Sequence, residues 1–285
     1  MPELSRRDLA LALVPALAVA CGKAVRSVPE VVAVPRGSLP TEPADAAWDQ
    51  APVHVAPLVL QDMIEPRLME RSTPEVRVRA IADGARIAFR IEWPDSQRDD
   101  VQGPARFSDA CAVQLPVQPT ADAPAPQMGE AGRTVEITYW RASWQAVCDG
   151  RGDTIRDIYP NAAVDHYPFE AASLTKGSPA QQAMERRYAP ARAVGNTMAG
   201  PREKPVQDLI AEGPGTLTPA PPGESNGRGR RIGEGWAVVI SRKLPAGLTP
   251  GGRTQVAFAV WEGGHQEVGA RKMRTGWVPL SLERA

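Results

Sequence analysis

Glu75-Val-Arg-Val-Arg-Ala-Ile-Ala-Asp83-Gly84-Ala-Arg86-Ile-Ala-Phe-Arg-Ile-Glu-Trp93 is the stretch on which the fold class turns. On both sides of Asp83-Gly84 polar and apolar residues alternate, the period of a strand that buries one face and wets the other. Asp83-Gly84 has the composition of a two-residue hairpin turn, because residues of these types tolerate the positive φ such a turn needs. Outward from this hairpin, runs that alternate or are rich in β-branched and aromatic residues occupy 53–60, 110–117, 134–141, 236–244, 254–261 and 277–282. Short strands joined by turns in this number predict a mainly β chain, an antiparallel β-sandwich. Between 143 and 215 the alternation fails, and 179–187 and 206–212 read as short helices inside a long loop and helix insertion spanning about 143–235. Few apolar residues are available there for a second core, so a separate domain is not expected. Residues 21–45, with Pro29, Pro35, Pro40 and Pro43 among small and charged residues, read as a linker into a domain at 46–285.

Composition fits this picture. The 29 Pro and 25 Gly of 285 residues make about 19%, against about 12% in ordinary usage, which suits many turns and stops short of a disordered composition. With 33 Lys+Arg against 33 Asp+Glu, no electrostatically driven binding to nucleic acid or to a polybasic-seeking membrane surface is expected. Cys21, Cys111 and Cys148 contain no C-x-x-C pair, which excludes a four-cysteine zinc site, a cysteine-held iron–sulfur cluster and a covalently attached haem of the C-x-x-C-H type.

The first twenty residues read as an address. Arg6-Arg7 precedes Leu9 to Ala20, an uncharged run too short to span a bilayer and broken by Pro15. The twin arginines resemble the bacterial signal that exports already folded proteins, a route suited to a chain that acquires a cofactor before leaving the cytoplasm. Ala18-Val19-Ala20-Cys21 is both an A-x-A cleavage site and a loose lipobox. A periplasmic location follows from this reading, with the mature protein either soluble or lipid-anchored at Cys21. Removal of 1–20 takes away Glu3, Asp8, Arg6 and Arg7, so the mature chain is also neutral.

Several chemistries lack their residues. G-x-S-x-G, H-E-x-x-H and G-x-x-x-x-G-K-[ST] are missing, and only His54, His166 and His265 are present, scattered along the chain. The glycines of 227–233 precede a strand instead of following one, so they cannot seat a pyrophosphate at a helix start and read as a flexible loop. Arg151-Gly152-Asp153 reads as a turn, and Arg228, Arg230 and Arg231 as a solvated charge run.

A series of short motifs carries more. Ala46-Ala47-Trp48, Ile91-Glu92-Trp93-Pro94-Asp95, Asp109-Ala110-Cys111-Ala112-Val113-Gln114, Gln127-Met128-Gly129, Ile137-Thr138-Tyr139-Trp140-Arg141-Ala142, Gly235-Trp236-Ala237-Val238-Val239 and Ala259-Val260-Trp261-Glu262-Gly263 occur in order, followed by Lys272 and Gly276-Trp277-Val278-Pro279-Leu280. This series resembles the haem b-binding γ subunit of periplasmic molybdenum enzymes related to ethylbenzene dehydrogenase, dimethyl sulfide dehydrogenase, selenate and chlorate reductases and nitrite oxidoreductases. The resemblance spans about 45–285. It implies a sandwich like that of some carbohydrate-binding modules, one non-covalent haem b between its loops, and a methionine and a lysine as axial ligands.

The methionine of the family's M-G motif falls on Met128. Taken alone, a methionine in a Pro/Ala-rich loop is more often a surface or gap-filling residue. As a soft thioether ligand it would favour ferrous iron and raise the reduction potential. Lys272 matches the family's lysine, although lysine is ordinarily an exposed ammonium. Ligation requires the neutral amine, which a desolvating pocket and the iron's charge would favour. His265 is the second choice, since imidazole is the commoner haem ligand. Arg141 and Arg271 are candidate partners for the propionates. Trp93, Trp140, Trp236, Trp261 and Trp277 are expected in the sandwich core, with one or two walling the porphyrin. Cys111 and Cys148 can pair in an oxidising compartment, but sequence does not supply their separation.

Two readings follow. In the first the chain is a non-catalytic electron-transfer subunit, both axial positions filled, relaying electrons to or from an iron–sulfur β subunit that serves a molybdenum-containing α subunit, with a soluble cytochrome as a further partner. In the second it is a haem-free carbohydrate- or ligand-binding sandwich, since a fold alone does not fix function. A catalytic haem protein would need one axial position to open.

Overall fold

A computed structural model describes residues 27–284 except 102, 153–154, 164–174, 176, 189–190, 192–193, 198–201 and 222. Its strands are β1 (Val31–Pro35), β2 (His54–Pro57), β3 (Val59–Leu60), β4 (Glu75–Ala82), β5 (Arg86–Pro94), β6 (Ala110–Pro116) and β7 (Val135–Arg141), then β8 (Val206–Ala211), β9 (Thr218–Pro219), β10 (Asn226–Arg231), β11 (Gly235–Lys243), β12 (Arg253–Trp261), β13 (Met273–Arg274) and β14 (Val278–Leu282). The expected hairpin is present, with β4 and β5 antiparallel from Arg77 opposite Glu92 to Ala82 opposite Ile87. Its turn centres one residue later than the Asp83-Gly84 reading. Gly84 takes φ +89°, while the Asp83 side chain accepts from the backbone N–H of Ala85 (3.1 Å) and Arg86 (2.7 Å).

The strands form two layers joined through β12. The first runs β10-β11-β5-β4-β1-β14, with β2 also paired to β4; the second runs β12-β6-β7-β8-β9, with β13 and β3 beside β12. Residues 253–256 of β12 pair with β14, and residues 257–261 pair with β6, so one strand passes from layer to layer. The core between the layers is built on the aromatic residues of both. Phe89 and Phe258 meet edge to face at 6.0 Å, and Trp140 contacts Trp236 at 5.2 Å and Trp93 at 6.4 Å. Edge-to-face contacts of this kind add to what burial of the rings already contributes.

The structure corrects three expectations. Residues 31–35, placed in the linker because of the surrounding prolines, form β1 in the middle of the first layer, where it pairs parallel with both β4 and β14. The sandwich is therefore antiparallel except at this strand. Residues 206–212, read as a short helix, hold β8, because β7 offers an open edge and a short apolar run takes the form its neighbour dictates. The glycine-rich 227–233, read as a flexible loop, holds β10, paired with β11 along its length. A Cβ at Gly229 would lie 2.1 Å from the Trp140 ring, so this strand uses glycine to let the indole lie against its backbone. The pairing that sequence left open is absent: Cys111 on β6 is buried, Cys148 at the end of the helix Ala142–Cys148 is half-buried, and both are free thiols. The helix expected at 179–187 is present as Pro179–Tyr188. Three strands, β8, β9 and β10, thus return the supposed insertion to the two layers.

Candidate cofactor site

Alternation along a strand should give the outer face of a sandwich layer polar side chains. The second layer breaks this rule. Its outward face presents Ala112 from β6, Ile137 and Tyr139 from β7, Leu209 from β8, and Ala259 and Trp261 from β12. These residues floor a cavity of about 600 Å³ walled by the loops that carry Gln61, Met128, Pro214, Val268 and Lys272. Its volume and its largely apolar lining with a few polar groups are those of a cofactor site.

Met128 enters this cavity from a constrained loop. Met128 (φ 71°) and Gly129 (φ 79°) are consecutive left-handed residues, a conformation that costs a side chain-bearing residue energy and marks functional positions. A Cβ at Gly129 would come within 2.8 Å of the Arg133 carbonyl and 3.0 Å of the Ala211 carbonyl, so glycine is required after the methionine. The Met128 carbonyl accepts from Gly213 N–H (2.8 Å), Gly129 N–H donates to Ala125 O (2.9 Å), and Gln114 Nε2 donates to Pro126 O (3.1 Å). Trp277 Nε1 donates to Pro124 O from the opposite side. The loop is thereby tied to β6, to the 213 turn and to the last strand's approach, and the thioether is aimed inward.

Lys272 enters from the facing wall. Its carbonyl accepts from Gln61 N–H (3.1 Å), and Gln61 Nε2 donates to Ala270 O (3.2 Å), which pins the lysine's segment to a residue 209 positions away from Ala270. Its Nζ lies 5.0 Å from the centre of the Trp261 ring and 3.9 Å from the Met128 sulfur. Burial, aided by the nearby Arg274 guanidinium, brings the Lys272 pKa down to about 8, so the neutral amine is accessible close to physiological pH. Among the described residues no cluster of three or more His, Cys, Asp or Glu can hold a bare metal ion. One thioether and one amine at opposite walls of an apolar cavity fit an iron that brings its other ligands with it, as a haem does.

The other candidates fall inside and outside this cavity. Arg141 lines it, and its Nε is buried without a hydrogen-bond partner. Arg271 does not line it; its backbone N–H donates to Val268 O (3.1 Å). Arg274 does, two residues beyond Lys272, where the period-2 rule for extended chain puts both side chains on one side. That spacing was readable in the sequence and points away from Arg271. His265 lies in the short turn Gly263–His265, half-exposed, with its Nε2 3.6 Å from Glu262 and away from the cavity lining. Trp93, Trp140 and Trp236 are buried between the layers, while Trp261 lines the cavity. Gln61, which holds the lysine's segment, carried no signal in the sequence. The export signal and Cys21 lie outside the described residues.

The family model described as ethylbenzene dehydrogenase matches residues 45–273. Relatives include the "Putative respiratory nitrate reductase heme subunit" of Haloferax mediterranei, 25% identical over 245 residues that cover 84% of this chain and 67% of that protein. Chlorate reductase subunit gamma of Ideonella dechloratans is 24% identical over 272 residues, covering 91% and 88%. Among solved structures, a family 9 carbohydrate-binding module of Caldicellulosiruptor kristjanssonii in complex with glucose is similar at a TM-score of 0.41 and 8% identity, covering 90% of this chain and 96% of that one. A likeness at that level bears on neither ligand nor activity. The match over most of its length places this chain in the ethylbenzene dehydrogenase family.

Proposed function

We propose that this protein is the haem-binding electron-transfer subunit of a molybdenum oxidoreductase, holding one non-covalent haem b between Met128 and Lys272. The observation that carries this reading is the 3.9 Å approach of Lys272 Nζ to Met128 Sδ across an apolar cavity, between residues 144 positions apart. Family membership and relatives named as a heme subunit and a gamma subunit support it. When bound, the haem supplies a reversible one-electron change at its iron. The chain's residues define how that change is used. The Met128 thioether stabilises the ferrous state and raises the potential. Lys272, whose burial lowers its pKa, would give up its proton at modest cost and, with Met128, would hold the iron without leaving room for dioxygen or a substrate. Arg141 offers its unpartnered Nε to a propionate. The floor of Ala112, Ile137 and Leu209 keeps water from the ring faces. On this reading the subunit is not itself catalytic and exchanges electrons with an iron–sulfur β subunit that serves the molybdenum-containing α subunit, or with a soluble cytochrome. It works in the periplasm after export through the signal at 1–20, either soluble or lipid-anchored at Cys21.

Absorption spectra of haem-supplied protein from the exported fraction test this. A Soret band of a six-coordinate low-spin haem is expected, with both Met128→Ala and Lys272→Ala altering the spectrum and weakening haem retention. Unchanged spectra in both variants would reject these ligands. Folded, haem-supplied protein without a Soret band would favour the carbohydrate- or ligand-binding alternative.

A further inference from the structure

Among the described residues, three cationic side chains, Arg141, Lys272 and Arg274, line the cavity, and no Asp or Glu does. Elsewhere in the fold arginines find acids: Arg90 pairs with Glu92, Arg133 with Glu130, Arg151 with Asp100, Arg228 with Asp149 and Arg242 with Glu136. Arg141 and Arg274 have no such partner within 4.0 Å among the described residues, and the Nε of each is buried without any hydrogen bond. Arg274 reaches only the Thr275 carbonyl at 3.4 Å and the Met63 sulfur at 4.0 Å, both at the outer limit of a hydrogen bond. Each guanidinium is partly buried, with Arg274 also attracted by the Asp62 carboxylate, and keeps a buried Nε without an acceptor among the described residues, which is a cost. Its planar fork of donors matches a carboxylate in two-point geometry. Arg141 and Arg274 put two permanent positive charges on the wall.

We infer that Arg141 on β7 and Arg274 on β13 form a two-point clamp for a dianionic ligand, each taking one carboxylate. The inference rests on the haem reading and deepens it: the carboxylates are the two propionates, and Arg274, not Arg271, is the second anchor. The clamp selects porphyrins that carry free acids on one edge and fixes which way round the ring enters. It brings together a strand on each side of the Trp261 floor, so the carboxylate edge is set independently of the axial pair.

Equilibrium binding of haem b and of its dimethyl ester to the full chain tests this, read by the Soret band. The wild type is expected to bind the ester at least about tenfold more weakly, the effect of one lost charge-assisted hydrogen bond. Arg274→Gln and Arg141→Gln should each weaken haem b while leaving the ester near the wild-type value, and the double variant should not distinguish the two ligands. Arg271→Gln should keep the full preference. Equal weakening of both ligands by Arg274→Gln, or no preference in the wild type, would overturn the clamp while a Met/Lys spectrum left the haem reading standing. Failure of the folded wild type to bind either ligand would remove both. Should Arg274→Gln not fold, Arg274→Lys keeps the charge without the fork and is expected to give an intermediate preference; an unchanged preference overturns the proposal.

Discussion

Met128 pays a conformational cost to reach the cavity, and Gly129 makes that cost bearable. A residue with a side chain at position 129 would meet two carbonyls at once in a left-handed conformation that already disfavours it. Gly129→Ala is therefore expected to destabilise the protein by about 2–4 kcal/mol and to swing the thioether out of line. Thermal unfolding and the haem spectrum, measured together, check this. A lower melting temperature with an intact spectrum would show that the thioether's aim does not depend on the glycine. The M-G pair was legible in the sequence only through its likeness to a family, because nothing in a Pro/Ala-rich loop announces a ligand. The Lys272 side was harder still. What brings it opposite Met128 is the Gln61 hydrogen-bond set and the pairing of β13 with β3, contacts spanning about two hundred positions, for which local pattern has no signal.

At the level of elements, strands marked by alternating or bulky apolar residues were readable, while β10 and β1 were missed for different reasons. In β10 the sequence Asn-Gly-Arg-Gly-Arg-Arg does have a period of two, but the core-facing volume is supplied by Trp140 lying over the glycines, so a count of apolar residues passes it by. β1 is apolar and short, and its flanking prolines argued for a linker. The junction that fixes β6 against its neighbours is likewise invisible to periodicity. Asp109, buried at the head of β6, accepts from Gly263 N–H (2.9 Å), Asp99 N–H (2.8 Å) and Trp236 Nε1 (2.9 Å). Burial and the adjacent Asp95 carboxylate push its pKa up to about 7. Between the ordinary carboxylate range near 3.8 and pH 7 the folded protein holds a proton that the unfolded chain has lost. Stability is then fully present below about pH 4 and falls as pH rises through 7. Asp95 Oδ2 is buried without a hydrogen-bond partner among the described residues, and Asp95→Asn removes the charge that raises the Asp109 pKa. This variant is expected to flatten the pH profile and to be more stable at pH 8 than the wild type by about 1 kcal/mol. Thermal unfolding at pH 5 and pH 8 decides it; an unaltered slope would move the titration to another group.

Across the whole molecule, two apolar surfaces flank the second layer, and they do different work. The inner surface, with Val113, Trp140 and Phe258, packs against Phe89 and Trp93 of the first layer and carries the stability of the fold. Among the described residues, the outer surface, with Ala112, Ile137, Leu209 and Trp261, is covered only by loops around a cavity. An apolar sheet face left in this state is costly in the absence of a ligand, and the cost is returned when one binds. The two surfaces should separate under mutation. Ala259 lines the cavity and is half-buried, so Ala259→Phe is expected to fill space reserved for the ligand, abolishing haem retention with little change in the melting temperature of the haem-free protein. Phe89 is fully buried between the layers, and Phe89→Ala is expected to cost about 3–5 kcal/mol through the cavity it leaves. In the surviving folded fraction of Phe89→Ala the haem spectrum should be that of the wild type. Melting temperature and Soret absorbance measured on both variants give the comparison. If Ala259→Phe unfolds the protein as Phe89→Ala does, the outer face belongs to the core and the cavity is not a ligand site; if each variant changes only its own readout, the second layer has the core on one face and the ligand site on the other.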